Sequence, residues 1–237
     1  MLESDMLAWL ASIERTPATV LAVANEGDGC ARIEVAATGH RLASTLVRPG
    51  QYVALGLPTG DARFFAVASA PPIGDRVEFV VQRGSAVSDA LTELPAGSTV
   101  SMSEALGDGY PIDALRGGPV VAFTTGTGLA AVRPVFDALL ADGLAADALH
   151  LYHGAPNAEA LLFADDLERW SGLGVGVHTV FDAVPVRYVQ DVWREDAAAP
   201  DAATARYVVC GSEPMQRAVA ATLQASAVPD DRVHYNW

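Results

Sequence analysis

The stretch that decides the fold runs from Gly118 to Val132 and reads GPVVAFTTGTGLAAV. An apolar run, a turn with two glycines and an alanine-rich segment follow one another directly, which predicts a buried strand leading into a helix. The letters from Gly126 to Ala131 fit the pattern G-x-G-x-x-G/A, in which backbone N–H groups at a helix start hold a pyrophosphate. The same letters also occur in strand–helix turns that bind nothing, so the flanking sequence has to separate the two interpretations.

The next strand departs from the standard dinucleotide-binding unit. A Rossmann unit places an Asp or Glu about 20 residues after the glycine turn, at the end of its second strand. Here that strand ends in LYHGAPN, residues 151–157, with no acid at its tip. The turn also lacks the Lys-Ser/Thr of a P-loop. The sequence therefore predicts a pyridine-nucleotide scaffold of a different kind.

The chain from residue 118 onward alternates between strand and helix patterns. Predicted strands lie at 119–125, 149–154, 175–181 and 205–211, and predicted helices at 130–143, 158–170, near 188–196 and at 213–226. Strands that alternate with helices indicate a parallel sheet covered on both faces. We therefore predict a doubly wound α/β nucleotide-binding domain over residues 115–237.

The first half of the chain has a different pattern. Six short β-rich runs separated by turn residues lie at 19–26, 31–38, 51–58, 64–69, 76–83 and 98–106. Strands at this spacing predict a small antiparallel six-stranded β-barrel, which we assign to residues 1–114. One helix interrupts it at SDALTEL, with Ser88 as the expected N-cap. Ligands of such a two-domain chain are expected in the cleft between the halves, at the carboxyl ends of the parallel strands.

Composition excludes several classes of function. All 15 basic residues are arginine, which rules out Schiff-base or P-loop lysine chemistry, and the net charge of −14 argues against binding to nucleic acid or anionic membranes. The N-terminal MLESDMLAWL lacks the positive charge of a signal peptide, and no apolar run reaches the roughly 18 residues of a membrane span. We therefore expect a cytoplasmic protein without membrane insertion.

Metal centres are not predicted either. The two cysteines, Cys30 and Cys210, are too few to ligate an iron–sulfur cluster, and we expect them to be reduced thiols. His150 and His153 are three residues apart on a predicted strand, so their side chains should point to opposite faces. The sequence thus offers no metal pair.

Several segments together resemble one known family. RPGQYV, RFFAVAS, SAVSDAL, PAGSTVSMSEALGDGY, TGTGLAAVRPV, LYHGAPN, YVQD and VVCGSEPM occur in the order, and at about the spacing, of the ferredoxin–NADP reductase superfamily. The resemblance covers about residues 20–237. CGSEPM is its most specific part, being similar to the family's C-G-P-x-x-M near the nicotinamide. The resemblance implies FAD on the barrel and NADH or NADPH on the second domain.

The resemblance also implies roles for residues of the barrel. Arg63 would pair with the FAD pyrophosphate, Phe65 would pack on the isoalloxazine ring, and Ser88 would hold a phosphate. Ala66, Val67 and Ser69 complete the predicted FAD-binding segment. Ala66 stands where the family has Ser or Thr and Phe65 where it has Tyr, so the loss of flavin stays open as an alternative.

In the second domain, the resemblance places the nicotinamide nucleotide against Thr125, Gly126, Thr127 and Gly128. Thr125 and Ala131 replace a Gly and a Pro of the family's G-G-T-G-x-x-P, and we expect the added side chain at Thr125 to weaken nucleotide binding. Gly211 and Met215 would border the nicotinamide. The predicted catalytic residues are Cys210 beside the nicotinamide C4, Phe65 against the flavin, and Trp237 closing the flavin face.

NADH is expected over NADPH, because no arginine follows HGAPN to bind a 2′-phosphate. Arg187 is the one candidate for that role from the next segment. The predicted function is a flavin-dependent NAD(P)H oxidoreductase that passes a hydride from NAD(P)H to FAD and electrons to a separate acceptor. The acceptor would be a ferredoxin, a flavodoxin, an oxygenase component or a small molecule. The alternatives are an electron-transfer subunit of a larger complex and a flavin-less nucleotide-binding or regulatory module.

Overall fold

A computed structural model describes residues 3–182, 184 and 186–236 of the chain. It contains two sheets, one of six antiparallel strands and one of five parallel strands. The last strand of the first sheet ends at Met102 and the first strand of the second begins at Val120. The predicted boundary after residue 114 falls inside this connection. Among the described residues, no helix has both the length and the hydrophobicity of a membrane span.

The antiparallel sheet forms the barrel. Its strands are β1 (Thr16–Asn25), β2 (Cys30–Ala36), β3 (Tyr52–Gly56), β4 (Ala62–Ala66), β5 (Arg76–Gln82) and β6 (Thr99–Met102), in the order β4-β3-β6-β1-β2-β5. The two edge strands approach each other where the Ala68 N–H donates to the Glu78 carbonyl at 2.9 Å. Alternate residues of the strands, such as Ile33 and Val35, fill the interior. The prediction of a six-stranded antiparallel barrel is confirmed.

Four helices accompany the barrel and the connection. They are α1 (Glu3–Ser12), α2 (Leu42–Thr45), α3 (Ala86–Thr92) and α4 (Ile112–Leu115). Only α3 was expected from the sequence. Leu10 of α1 packs on the outer face of the barrel against Ala54 and Ala62. The other two unpredicted helices are single turns, which are too short to show a periodic apolar pattern.

The parallel sheet begins with the stretch that decides the fold. Its strands are β7 (Val120–Thr125), β8 (Leu149–Ala155), β9 (Gly176–Phe181), β10 (Arg206–Cys210) and β11 (Val233–Tyr235), and its helices are α5 (Gly128–Ala141), α6 (Ala164–Leu173), α7 (Val189–Glu195) and α8 (Glu213–Ala225). The strand order is β11-β10-β7-β8-β9. The chain therefore proceeds outward from β7 to β9 and then continues on the other side at β10. This places the topological switch point between β7 and β10.

The helices cover both faces of this sheet, as a doubly wound fold requires. One apolar cluster contains Phe136 of α5 and Trp170 of α6, and the cluster on the other face contains Trp193 of α7 and Val219 of α8. The predicted doubly wound domain is confirmed, although the short strand β11 was missed. The helix predicted from residue 158 begins later, at Ala164, because residues 158–160 form a separate 3₁₀ turn.

Polar contacts fix the barrel against the α/β domain. Arg133 of α5 pairs with Glu78 of the barrel, donates from Nη1 to the Ala68 carbonyl at 3.1 Å, and donates from Nε to Asp166 at 2.6 Å. Next to this cluster, the Glu26 carboxylate accepts the Phe163 N–H at 2.6 Å, and the Arg133 guanidinium lies over the Phe163 ring, 4.6 Å from its centroid. Because these bonds join both halves, they set the geometry of the space between them.

Candidate functional site

A cleft of about 920 Å³ lies between the two sheets, at the carboxyl ends of β7 and β10. This is the switch point at which open α/β sheets bind ligands. The barrel contributes Phe64, Phe65, Ala66, Val80 and Gln82 to its wall, and the α/β domain contributes the turns after β7, β8 and β10 together with the start of α7. The predicted location of the site, between the two halves of the chain, therefore coincides with this cleft.

The glycine turn after β7 is shaped by close approach of two backbones. A Cβ atom on Gly128 would lie 2.2 Å from the Cys210 carbonyl oxygen, so only glycine lets the first turn of α5 contact β10. Gly126 has a φ of +51° and donates its N–H to the Gly154 carbonyl at 3.1 Å. Thr127, the N-cap of α5, forms no side-chain cap hydrogen bond. The Leu129 and Ala130 N–H groups donate to the Gly126 and Thr127 carbonyls at 3.3 and 3.0 Å. The N–H groups of Thr127 and Gly128, which have no acceptor in the described part of the chain, are thus left for a ligand in the cleft.

Thr125 is held by a hydrogen bond that the sequence did not reveal. Its hydroxyl accepts the Ser212 N–H at 3.0 Å and so ties the end of β7 to the turn after β10. A Cβ on Gly211 would lie 2.3 Å from this hydroxyl, and one on Gly154 would lie 3.0 Å from the Thr125 methyl carbon. The side chain lines the cleft but is fixed at its floor. Ala131, by contrast, is fully buried in the core and lies outside the cleft wall.

Cys210 reaches the cleft as a neutral thiol. Its side chain is only 3% exposed, and Tyr110 and Asn236 face its sulfur. Burial raises the pKa of the thiol to about 11, although the nearby polar groups of Asn236 and Tyr110 act in the opposite direction. Because nucleophilic and metal-binding cysteines react as thiolates, this group is suited to packing rather than to covalent chemistry. Gly211 and Met215, which follow it, also line the cleft.

Two of the predicted FAD contacts lie together on β4. Phe65 is half-buried in the cleft wall, next to Ala66. Arg63 lies two residues earlier and therefore on the same face of the strand. It is exposed, outside the cleft lining, and in the described part of the chain it makes no hydrogen bond or ion pair. Its guanidinium is free to bind an anion.

Two other predicted contacts do not reach the cleft. Val67 is 1% exposed inside the barrel core, and its N–H donates to the Gln51 carbonyl at 2.9 Å. The Ser69 hydroxyl accepts the Glu78 N–H at 2.9 Å and supports β5 instead. These positions lie outside the cleft because the chain after Ala66 turns into the barrel.

The assignment of Ser88 as an N-cap was wrong. Ser85 is the N-cap of α3, and its hydroxyl accepts the Ser88 N–H at 3.2 Å and donates to the Ser88 hydroxyl. The helix begins one turn early because Ser85 has the extended backbone of a cap residue, with φ −142°. Ser88 is buried within the first turn and lies outside the cleft lining. Trp237, predicted to close the flavin face, lies outside the described residues.

Sequence reasoning also missed part of the cleft. The segment YVQD was noted, but no chemistry was assigned to it. In the structure Gln190 lines the cleft, is 7% exposed, and its buried Oε1 has no hydrogen-bond partner among the residues described. Asp182, just after β9, and Arg187 also line the cleft, and Arg187 is ion-paired with Glu195. The tip of β8 carries no acid, but Asp182 follows the end of β9.

Comparison with known proteins agrees with this architecture. Residues 123–221 match the model of the oxidoreductase NAD-binding domain. The reductase component of propane 2-monooxygenase from Gordonia sp. strain TY-5 is 28% identical over 207 residues, covering 80% of this chain and 58% of that protein. The crystal structure of the Amycolatopsis cytochrome P450 reductase GcoB superposes with a TM-score of 0.79 at 26% identity, covering 95% of this chain and 70% of that one.

A third comparison concerns the fold alone. A ferredoxin NADP+ reductase from Neisseria gonorrhoeae, solved with bound FAD and NADP, has a TM-score of 0.77 at 18% identity, covering 94% of this chain and 99% of that one. This chain spans 41 to 67% of the length of the curated relatives that it matches.

Proposed function

We propose that this chain, whose residues 123–221 match the oxidoreductase NAD-binding domain, is a flavin-dependent NAD(P)H oxidoreductase of the ferredoxin–NADP reductase superfamily. It would take a hydride from NAD(P)H onto FAD and pass electrons to a separate acceptor. The observation that carries the proposal is the cleft itself, in which the uncapped start of α5, the neutral Cys210 and the ring of Phe65 line one cavity.

The α/β side of the cleft fits a pyridine nucleotide. The free N–H groups at the start of α5 suit a pyrophosphate, since they combine donors with the positive end of the helix dipole. Gln190 supports this fit, because a buried amide oxygen without a partner costs free energy until a ligand donor satisfies it. The ribose hydroxyls and the carboxamide of the nucleotide carry such donors.

The barrel side fits a flavin. Phe65 presents an aromatic face to the cleft, on which a flat ring system can pack. The unpaired Arg63 would bind the FAD pyrophosphate, and the first turn of α3 would offer further N–H donors. Ala66 has a methyl group where the family has a hydroxyl, so the chain donates one hydrogen bond fewer to the ring. We therefore expect the chain to hold the flavin ring less firmly at Ala66 than a Ser or Thr would at this position.

FAD, when bound, supplies the redox chemistry by accepting a hydride and releasing electrons. The residues of this chain orient the reactants. Cys210 presents a small uncharged group, and Tyr110 holds it in place by donating to the Val209 carbonyl at 3.3 Å. Val80 and Met215 exclude water from opposite walls of the cleft. None of these residues needs to transfer a proton.

The charges around the cleft favour NADH over NADPH. Asp182 is exposed at the cleft and would repel a 2′-phosphate. Arg187, the cation in the described lining, already pairs with Glu195. A carboxylate without a free arginine beside it selects against the additional phosphate.

For the electron acceptor we propose a separate oxygenase or iron–sulfur component. The Gordonia relative is a reductase component of a monooxygenase, and the Amycolatopsis neighbour is a cytochrome P450 reductase. The sequence contains two cysteines, which cannot supply the four thiolates of an iron–sulfur cluster. Because the acceptor is a separate component, the chain would also fit the role of an electron-transfer subunit in a larger complex.

Anaerobic titration of the FAD-reconstituted chain tests the proposal. We expect a visible flavin band that NADH bleaches within one equivalent, and faster bleaching by NADH than by NADPH. Asp182→Asn should lower the ratio of the NADH rate to the NADPH rate several-fold, because it removes the carboxylate that would repel the 2′-phosphate. Failure to take up FAD would contradict the proposal and favour the flavin-less module.

A matched pair of arginine variants tests the flavin site. Arg63→Met should weaken FAD binding by about 10- to 100-fold, the usual cost of a lost charge-assisted hydrogen bond. Arg76→Met is the control, because Arg76 is also exposed on the barrel but pairs with Glu34. Equal affinities for FAD in the two variants would show that Arg63 does not bind FAD.

A further inference from the structure

Three potential metal ligands converge on one face of the parallel sheet, away from the cleft lining. They are His150 of β8, His178 of β9 and Asp196, the C-cap of α7. One ligand atom from each lies within 4.8 Å of the other two. The register explains the convergence: His150 pairs with Gly176 in the neighbouring strand, and His178 lies two residues further along, on the same face.

Each group is placed to bind an ion. His150 is 7% exposed, and its Nδ1 has no hydrogen-bond partner in the described part of the chain. Gly176 makes room for this ring, since a Cβ there would lie 2.6 Å from Nδ1. Nε2 of His178 lies 3.0 Å from Oδ2 of Asp196. The His178 side chain is 30% exposed, which gives an ion a path from solvent.

The surrounding residues hold these groups in position. The Tyr152 hydroxyl donates to Asp196 Oδ2 at 2.6 Å, and the Ala198 N–H donates to Oδ1 at 2.9 Å. The Tyr152 ring also stacks on His178, with centroids 4.6 Å apart and planes 6° from parallel. Outer contacts of this kind orient the ligands of metal sites and tune their affinity.

We propose that His150, His178 and Asp196 bind a divalent transition-metal ion such as Zn²⁺. Two imidazoles and a carboxylate form a donor set that zinc accepts, and water would complete the coordination. The ion would lie between His178 and Asp196, in place of their direct contact. It would join β8, β9 and the end of α7, whose first turn forms the cleft wall at Val189 and Gln190. Metal binding would therefore stabilise that wall.

The prediction that His150 and His153 point to opposite faces is consistent with the structure, since His153 bonds Thr124 at 2.8 Å. The partners of His150 come instead from β9 and α7, which are distant in sequence.

Calorimetric titration of the full chain with Zn²⁺ tests this site independently of flavin and turnover. We expect one equivalent to bind, and the midpoint of thermal unfolding to rise with the metal. His178→Gln and Asp196→Asn should each weaken binding at least about tenfold, and Tyr152→Phe by about 10- to 100-fold through the outer shell. Asp165→Asn, which alters an exposed acid of α6, should bind as the wild type does.

Two results would overturn the proposal. One is the absence of Zn²⁺ binding by a wild-type chain shown to be folded by circular dichroism. The other is unchanged binding in His178→Gln and Asp196→Asn, which would place the ion elsewhere, for example on a thiol. Because His178 is partly exposed, its variant is expected to fold, and its unfolding midpoint without metal verifies this.

Discussion

Gly126 and Gly128 occupy the same turn but tolerate a side chain differently. A Cβ on Gly128 would lie 2.2 Å from the backbone oxygen of Cys210, and no rotamer change relieves a contact between two backbones. A Cβ on Gly126 meets nothing within 4 Å, so its cost comes only from the positive φ of +51°. We therefore expect Gly128→Ala to destabilise the chain by about 3 kcal/mol and Gly126→Ala by about 1 kcal/mol.

Urea unfolding of both variants measures this difference. Gly128→Ala should also lose nucleotide affinity, because the first turn of α5 must move away from β10. An equal loss in the free energy of unfolding for the two variants would mean that the backbone of Gly128 can move away from Cys210 at little cost. The G-x-G pattern is visible in the sequence. The sequence does not show that Gly128 is required for close backbone contact and Gly126 for its positive φ.

At the scale of elements, Arg133 of α5 connects two helices and the barrel. It is 17% exposed, and its partners Glu78 and Asp166 are 18% and 16% exposed. Removing Arg133 leaves Glu78 without an ion-pair partner among the described residues, whereas Asp166 keeps its pair with Arg169. Arg133→Met keeps much of the side-chain volume and should cost about 3 kcal/mol in the free energy of unfolding, the lower end of the range for a broken buried pair.

Arg217→Met provides the comparison, since Arg217 forms an exposed i,i+4 pair with Glu213 in α8. Its loss should cost less than about 0.5 kcal/mol. If chemical denaturation gave similar losses for the two variants, the Arg133 cluster would not be what fixes the domains. Neither the cluster nor its partners could be read from sequence, because Glu78, Arg133 and Asp166 belong to three distant segments.

At the scale of the whole molecule, the net charge of −14 affects the choice of electron acceptor. Two acidic proteins repel each other at low ionic strength, and salt screens that repulsion. We expect reduction of an acidic ferredoxin by the FAD-loaded chain to accelerate several-fold between about 20 and 200 mM salt, over which the Debye length falls markedly.

Stopped-flow kinetics with NADH as donor measures this, with a neutral quinone as the salt-independent control acceptor. A rate that falls with added salt would contradict the expectation. It would point to a local cationic surface, for which the exposed, unpaired Arg63 would be the first residue to test.

The sequence predicted the two-domain order, a barrel followed by an α/β domain. The change from period-two to helical patterning separated barrel from α/β domain, and the glycine turn with CGSEPM indicated the nucleotide side of the cleft. These signals are local, because strand periodicity, turn residues and short motifs depend on neighbours within a few positions. The ten-residue α1, the one-turn helices α2 and α4, and the short β11 were not predicted.

Contacts between distant side chains became visible only in the folded chain. The N-cap of α3 is Ser85 and not Ser88, which lies three residues later. Val67 and Ser69 lie outside the cleft. The partnerships of Thr125 with Ser212, and of His150 with His178 and Asp196, join segments distant in sequence. Such contacts depend on strand order and register, which no local pattern specifies.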